Sequence, residues 1–344
     1  MNAAVIVPNW NGLAFLRTCI ASLEDQSNHA HMIVVDNGST DGSLTWLRGQ
    51  HPGVEVVALP GNAGFAGGVN RGIELALRRG ADFVALLNND AVADRGWLEA
   101  LRVAADAHPD AGMVTGKLLT ADGQRIDSTG NLYSVWGFPF PRGRGEDAGN
   151  YTAGEYVFAA TGGACLLRAA MLRQIGVFDE RYFAYYEDVD LSFRCQLAGW
   201  RVWYEPTAIA RHVIGGTTSR HPGFARYHAT KNFVFLYCKN MPAGLFWKYA
   251  PRFVAAFMLN AGSAIRRGEA GALIRGWVTI AQHLSGVRAD RARIKAGTGV
   301  ADEYIDALLY KHMPPTQRTL HSVSCRLGRI YSRSAMKGSS PSAE

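Results

Sequence analysis

Short apolar runs alternate with stretches of helical spacing along the first 110 residues. AAVIVP (3–8), HMIVVD (31–36), VEVVALP (54–60) and DFVALLN (82–88) are brief and rich in β-branched residues, which predicts buried strands. Between the first two, Leu13, Leu16, Ile20 and Leu23 recur at three- and four-residue steps and predict a helix over 13–25. Further helices are expected over 43–50, over 66–79 with Gly80 as its stop, and over 97–107. Strand and helix in alternation give βαβ units, hence an α/β fold with a mostly parallel sheet flanked by helices. Residues 120–155, rich in Gly, Pro and polar groups, read as a long loop, and loops of that length commonly carry function. Another strand, a helix over 189–198 and a closing strand over 201–206 complete the front half.

The back half has a different pattern. FVAAFMLNAGSAI (253–265) lies between Arg252 and Arg266-Arg267 and falls short of the roughly 18 residues a spanning helix needs. GWVTIAQHLSGV (276–287) is shorter and more polar. Both read as helices that lie in an interface or pack on a neighbour. Charge divides the same way: residues 1–210 hold 16 Lys/Arg against 23 Asp/Glu, and 211–344 hold 20 against 6, which together give the net +7. Basic residues interleaved with apolar stretches suit an anionic membrane surface. No aromatic ribonucleoprotein motif or zinc pattern supports a nucleic-acid partner. A length of 344 residues suggests two units, expected at 1–220 and at 221–344 as a basic amphipathic helical extension. Five widely spaced cysteines without a C-x-x-C pair argue against a thiolate zinc site and a disulfide framework. The opening MNAAVIVPNW lacks the basic start of a signal peptide, so a cytoplasmic setting is expected.

Candidate chemistry gathers at the carboxyl ends of the strands, where open parallel sheets bind ligands. Pro8-Asn9 follow the first strand, Asp36 to Ser39 the second, Asn62 to Phe65 the third and Asn88-Asn89-Asp90 the fourth. Asp36 can accept a hydrogen bond from a base imide or a ribose hydroxyl, whereas Asp41 suits a helix start. A dinucleotide fold needs G-x-G-x-x-G after its first strand. PNWNG stands there instead, and the glycine-rich NAGFAGGVNRG follows the third strand, which argues against a Rossmann dehydrogenase. In that stretch Asn62 can bond a base or sugar, and Asn70 is expected to face the same cleft. Asp90 is an oxygen ligand of the kind hard cations prefer. EDVD (187–190) opens a helix. There Asp188 or Asp190 can serve as a cap, and Asp190 can pair with Arg194 one turn on. The neighbouring Tyr182, Phe183, Tyr185 and Tyr186 make the surroundings partly apolar, which tunes a carboxylate toward general-base work. Glu187 and Asp188 are sequence neighbours and cannot flank a glycosidic bond, which disfavours a hydrolase.

VIVPNWNG, VVDNGSTDGS, NAGFAGGVN, LLNND, TGGACLLR, GVFDERYFAYYEDVDLSFR and the trailing His212 together resemble the family-2 glycosyltransferases of GT-A fold. The resemblance covers about residues 3–220 and is greatest to the bacterial rhamnosyltransferase branch; 221–344 resembles that branch's tail with a weaker signature. It implies an inverting transferase that moves a sugar from a nucleotide-diphospho-sugar to a hydroxyl of a lipid-linked or polysaccharide acceptor. The expected donor is dTDP-rhamnose, with a UDP-hexose or UDP-galactofuranose as the alternative. The setting it implies is the inner face of the bacterial plasma membrane, as a peripheral protein. Carried over by position, Pro8, Asn9 and Asp36 line the nucleotide pocket, with Asn62 and Phe65 near it; Asn70 joins them from the reading of the glycine-rich stretch alone. Asn89 takes the ribose, Asp90 a divalent cation (Mg²⁺ or Mn²⁺), and His212 the place of a further metal ligand. Asp188 matches the catalytic base, and Glu187 is left to orient the acceptor or an Arg. The motif reads NND where many members carry two or three acids, so the cation leans more on the pyrophosphate.

Overall fold

The computed structural model describes residues 2–213 and 223–315. The expected boundary near 220, Cys325 and the last stretch of the basic extension lie outside the described residues. The front half runs β1 (Ala3–Asn9), α1 (Leu13–Glu24), β2 (His31–Asp36), α2 (Ser43–Gln50), β3 (Glu55–Ala58), α3 (Gly64–Arg78), β4 (Phe83–Leu87), β5 (Ala91–Ala93) and α4 (Trp97–Ala107). These match the sequence pattern closely. Then come β6 (Ala111–Thr120), three short strands β7 (Ile126–Ser128), β8 (Asn131–Tyr133) and β9 (Pro139–Pro141), and β10 (Glu155–Val157). β11 (Ala164–Arg168), α5 (Ala169–Ile175), α6 (Glu187–Leu197) and β12 (Arg201–His212) close the sheet. Four helices follow: α7 (Phe224–Asn240), α8 (Ala243–Arg266), α9 (Ala270–Ala296) and α10 (Asp302–Leu308).

The main sheet is ordered β10-β12-β6-β11-β4-β1-β2-β3. β1, β2, β3 and β4 pair in parallel, as does β12 with β6, while β11 runs antiparallel between β4 and β6. Apolar residues cover both faces of the sheet: Leu16, Ile20, Trp97 and Leu101 pack on one and Ile73, Met171, Leu172 and Leu191 on the other. Both layers exclude water, as a largely parallel sheet requires.

The long loop is not structureless. β8 and β9 form a two-stranded ribbon, β7 adds to β6, and Phe138 packs on Phe233 of α7 at 4.8 Å between ring centroids. The helical extension is joined to the sheet domain through a buried charge cluster. Asp190 of α6 accepts from Arg194 Nε at 3.0 Å, Lys239 Nζ at 2.9 Å, Asn240 Nδ2 at 2.8 Å and the Tyr182 hydroxyl at 3.1 Å. Two cations and two neutral donors satisfy a carboxylate that would otherwise be costly to bury. Among the described residues, no helix is long and apolar enough to cross a membrane.

Candidate active site

The carboxyl ends of β1 and β4, the loop before β11, the β7–β9 region and the start of α6 enclose one cleft of about 850 Å³. Its floor is a polar ladder. Asn89 Nδ2 donates to Asn9 Oδ1 at 2.7 Å, and Asn9 Nδ2 donates to Asp36 Oδ1 at 3.1 Å and Ser39 Oγ at 3.2 Å. Gly12 lies against this ladder: a Cβ there would sit 2.2 Å from Asn89 Nδ2. Pro8, Asn9, Asn62, Phe65 and Asn89 all line the cleft. Three buried oxygens at its wall, Asn37 Oδ1, Asn88 Oδ1 and Glu187 Oε2, have no hydrogen-bond partner among the described residues. Such atoms are rare in folded proteins and suit a site awaiting a polar ligand.

Two of the expected ligand contacts are corrected. Asp36 is only 1% exposed, and its second oxygen accepts from the Ser39 amide at 3.0 Å. It braces Asn9 and the turn behind the floor, and its neighbour Asn37 faces the cleft. Asn70 is likewise consumed inside the fold. Its Nδ2 donates to the Phe178 carbonyl at 2.9 Å, its Oδ1 accepts from the Phe178 amide at 3.0 Å, and it does not reach the cleft. Asn70 therefore ties α3 to the segment that leads into α6.

At one end of the cleft Asp90 Oδ1 stands 3.1 Å from His212 Nε2, and His212 Nδ1 lies 2.8 Å from Asp127 Oδ2. Burial pulls the imidazole down, but its bonds to Asp127 and Asp90 outweigh that and raise it to about 9. A carboxylate on Nδ1 fixes the ring and leaves Nε2 as the ligating nitrogen, the usual setting of a metal-bound His. One carboxylate and one imidazole fit a divalent cation that draws its other ligands from a diphosphate and water. Among the described residues no third acid, His or Cys completes a protein-only site. Arg144 NH2 lies 2.6 Å from the other Asp127 oxygen and also lines the cleft.

Asp188 lines the same cleft. Its Oδ2 accepts from the Gly162 amide at 2.9 Å and from Asn131 Nδ2 at 3.1 Å. Burial raises its carboxyl above the ordinary aspartate range, and those hydrogen bonds hold the rise back. Burial, and next the charge of Asp188, pushes Glu187 up to about 8. Among the described residues no Arg bonds Glu187, and the cation near it is Lys231 of α7. The approach to α6 is strained, since Phe183, Tyr185 and Tyr186 have φ of 64°, 69° and 70°. Bulky residues avoid that region at about 1–3 kcal/mol each unless the surroundings enforce it. α7 does so. Asn232 Nδ2 donates to the carbonyls of Tyr182, Ala184 and Tyr185 at 3.1, 2.8 and 2.7 Å, and Lys231 Nζ to that of Tyr182 at 3.0 Å. Gly64 is pressed against the same loop with φ of 76°, and a Cβ there would stand 2.5 Å from the Phe183 carbonyl oxygen.

Residues 4–176 match the family described as Glycosyl transferase family 2. The chain belongs to that family. It is 33% identical over 227 residues to the N-acetylglucosaminyl-diphospho-decaprenol L-rhamnosyltransferase of Mycobacterium tuberculosis (strain ATCC 25618 / H37Rv), covering 60% of this chain and 74% of that one. Among solved structures it resembles the mannosyltransferase PcManGT from Pyrobaculum calidifontis in complex with GDP-Man and Mn²⁺, with a TM-score of 0.51, 16% identity and coverage of 86% and 85%. It also resembles S. aureus TarS, with a TM-score of 0.52 and 16% identity, over 74% of this chain and 43% of TarS. These likenesses show the GT-A fold, and the family-2 membership makes the protein a glycosyltransferase, one that is similar to an L-rhamnosyltransferase. Asp127, Asn131 and Arg144 belong to the cleft but were not singled out from sequence. They lie in the glycine-rich loop, and their partners stand 57 to 85 positions away in the cases of Asn131–Asp188 and Asp127–His212.

Proposed function

We propose that this family-2 glycosyltransferase inverts configuration as it moves L-rhamnose from dTDP-rhamnose to a hydroxyl of a lipid-linked cell-surface glycan. The observation that carries the reading is that Asp90, His212 and Asp188 line a single cleft. In this reading the nucleotide lies over Pro8, Asn9, Asn62 and Phe65, with its ribose at Asn89. A divalent cation bound by Asp90 and His212 supplies positive charge for the departing diphosphate. Asp188 takes the proton of the acceptor hydroxyl. The acceptor oxygen bonds to the anomeric carbon on the face opposite the leaving group as the carbon–oxygen bond to the diphosphate breaks. A raised carboxyl is the better base near neutral pH, which is what the apolar surroundings of Asp188 provide. Glu187 stays protonated there and can donate a hydrogen bond to acceptor or sugar.

Donor and acceptor rest on the M. tuberculosis relative, whose name specifies L-rhamnose and a diphospho-decaprenol acceptor. The basic helices suit an anionic membrane surface as the meeting place with such an acceptor, on the cytoplasmic face. A donor screen with purified protein and a polyprenyl-diphospho-sugar acceptor tests the reading. Product from dTDP-rhamnose is expected. Product from a UDP-sugar alone replaces rhamnose as the transferred group. Flotation with anionic vesicles, weakened by salt, tests the membrane part.

A further inference from the structure

Seven of the nine large apolar residues most exposed among the described residues sit on α8 and α9. On α8, Trp247, Val254, Met258 and Ile265 are 76, 56, 63 and 60% exposed. At 3.6 residues per turn they fall within about 20° of one line along the helix. Arg252 and Arg266, also exposed, lie about 140° and 100° around the helix from that line. On α9, Ile274, Trp277 and Val278 extend the apolar face. A large exposed apolar surface marks an interaction site.

Part of this face leads inward. A groove of about 620 Å³ between α7 and α9 is lined by Phe224, Tyr227, His228, Ile274, Arg275 and Val278, among others. Ile274 and Val278 belong to the exposed face, and Phe224 also lines the catalytic cleft. Phe224 is thus the residue shared by the groove and the cavity that holds Asp188. Burial, and next the charge of Lys231, lowers His228 to about 4, so the imidazole is neutral and Arg275 is the cationic side chain of the lining. A second apolar slot of about 260 Å³, lined by residues such as Val254, Phe257 and Trp277, shares no lining residue with the cleft.

We propose that the α7–α9 groove binds the hydrocarbon tail of the lipid-linked acceptor and passes its sugar head past Phe224 into the cleft. The proposal rests on the reading of the acceptor as lipid-linked and adds the site that recognises the lipid. The groove matches such a molecule in chemistry: apolar walls for the chain and one guanidinium for a phosphate that joins chain to sugar. Depth is supplied from the bilayer side, because the same helices carry the exposed apolar face.

Two measurements test it. In the first, acceptors with the same head and either a long prenyl or a short alkyl tail are compared in wild type and an Ile274→Glu, Val278→Glu variant whose melting temperature is checked. Wild type is expected to favour the long tail at least tenfold in kcat/KM, and the variant to lose most of that preference. Equal use of both tails by wild type, or a preference untouched by the variant, overturns the proposal. In the second, a diazirine-bearing polyprenyl phosphate is photo-crosslinked to the wild-type protein in anionic vesicles and mapped by mass spectrometry. Label within 224–228 and 274–278 supports the groove even if no lipid acceptor is glycosylated, in which case the acceptor reading alone fails. Label confined to the outer face of α8, or none because a second copy of the chain covers that surface, overturns it.

Discussion

Replacing Asn232 by Ala removes the amide that holds the carbonyl groups of Tyr182, Ala184 and Tyr185 in the strained 182–185 segment. Tyr182 keeps the Lys231 ammonium as a donor, but Ala184 and Tyr185 lose the Asn232 donor. Each buried carbonyl left unpaired costs about 1–3 kcal/mol. Water reaches part of this loop, so a net loss of about 2–4 kcal/mol is expected. The left-handed backbone at Phe183, Tyr185 and Tyr186 then has reason to relax, which relieves about 1–3 kcal/mol per residue and displaces the start of α6. Asp188 is the second residue of that helix. A displacement that costs about 1.4–2.8 kcal/mol of transition-state stabilisation lowers kcat about 10- to 100-fold. The polar floor at the ends of β1 and β4, where the proposed function puts the nucleotide, is untouched, so KM for the donor should change less than threefold. Steady-state kinetics, nucleotide titration and thermal melting separate these effects. An Asn232→Ala protein that melts lower yet turns over at the wild-type rate would show that α7 merely packs and does not position the base.

Asp188→Asn should lower kcat by roughly 100-fold or more while nucleotide binding persists, as read by calorimetry; an unchanged rate removes it as the base. Asp90→Ala should weaken Mn²⁺ binding in the presence of nucleotide, measured by electron paramagnetic resonance, and lower turnover by roughly 100-fold. Mn²⁺ bound as tightly as in wild type would refute its role as ligand. Glu187→Gln tests the raised carboxyl. Folded Glu187 keeps its proton up to about pH 8, whereas the unfolded chain releases it near the ordinary glutamate value, so the folded form binds more protons between the two. Wild type therefore loses stability relative to the Gln variant as pH rises from 5 to 8. A difference in melting temperature that stays flat over that range contradicts it.

The sequence made the first four strands legible because β-branched runs ending in Asn, Asp and Gly are hard to mistake. β6 escaped, although it is a ten-residue strand between β12 and β11. Gly112 and Gly116 break its apolar run, and the reason for Gly116 is tertiary: a Cβ there would lie 2.1 Å from the Ala208 carbonyl oxygen. Lys117 adds a charge to the same strand, and only the fold reveals that its ammonium bonds the carbonyls of Ala148 and Asn150. The site shows a similar division. Motif position pointed to Asp90, Asp188 and His212, each of which follows a recognisable strand or opens a helix, and the fold brings all three to one cleft. It misjudged Asp36 and Asn70, because a polar residue at a strand end or in a glycine-rich stretch serves the fold or the ligand with the same local pattern. α7 as the keeper of the strained 182–186 loop left no trace, since Lys231 and Asn232 sit about 50 positions from the carbonyls they bind.

The family match ends at residue 176, twelve positions before Asp188 and well short of α7. Grafting the tail of a relative onto this chain would thus exchange more than an accessory. A chimera joined near 220 should still capture donor but stall before sugar leaves it, unless the new tail brings an amide in register with the bend this chain keeps. Tail and bend form one heritable unit, and a workable crossover lies upstream of Asp179 rather than at the edge of the sheet.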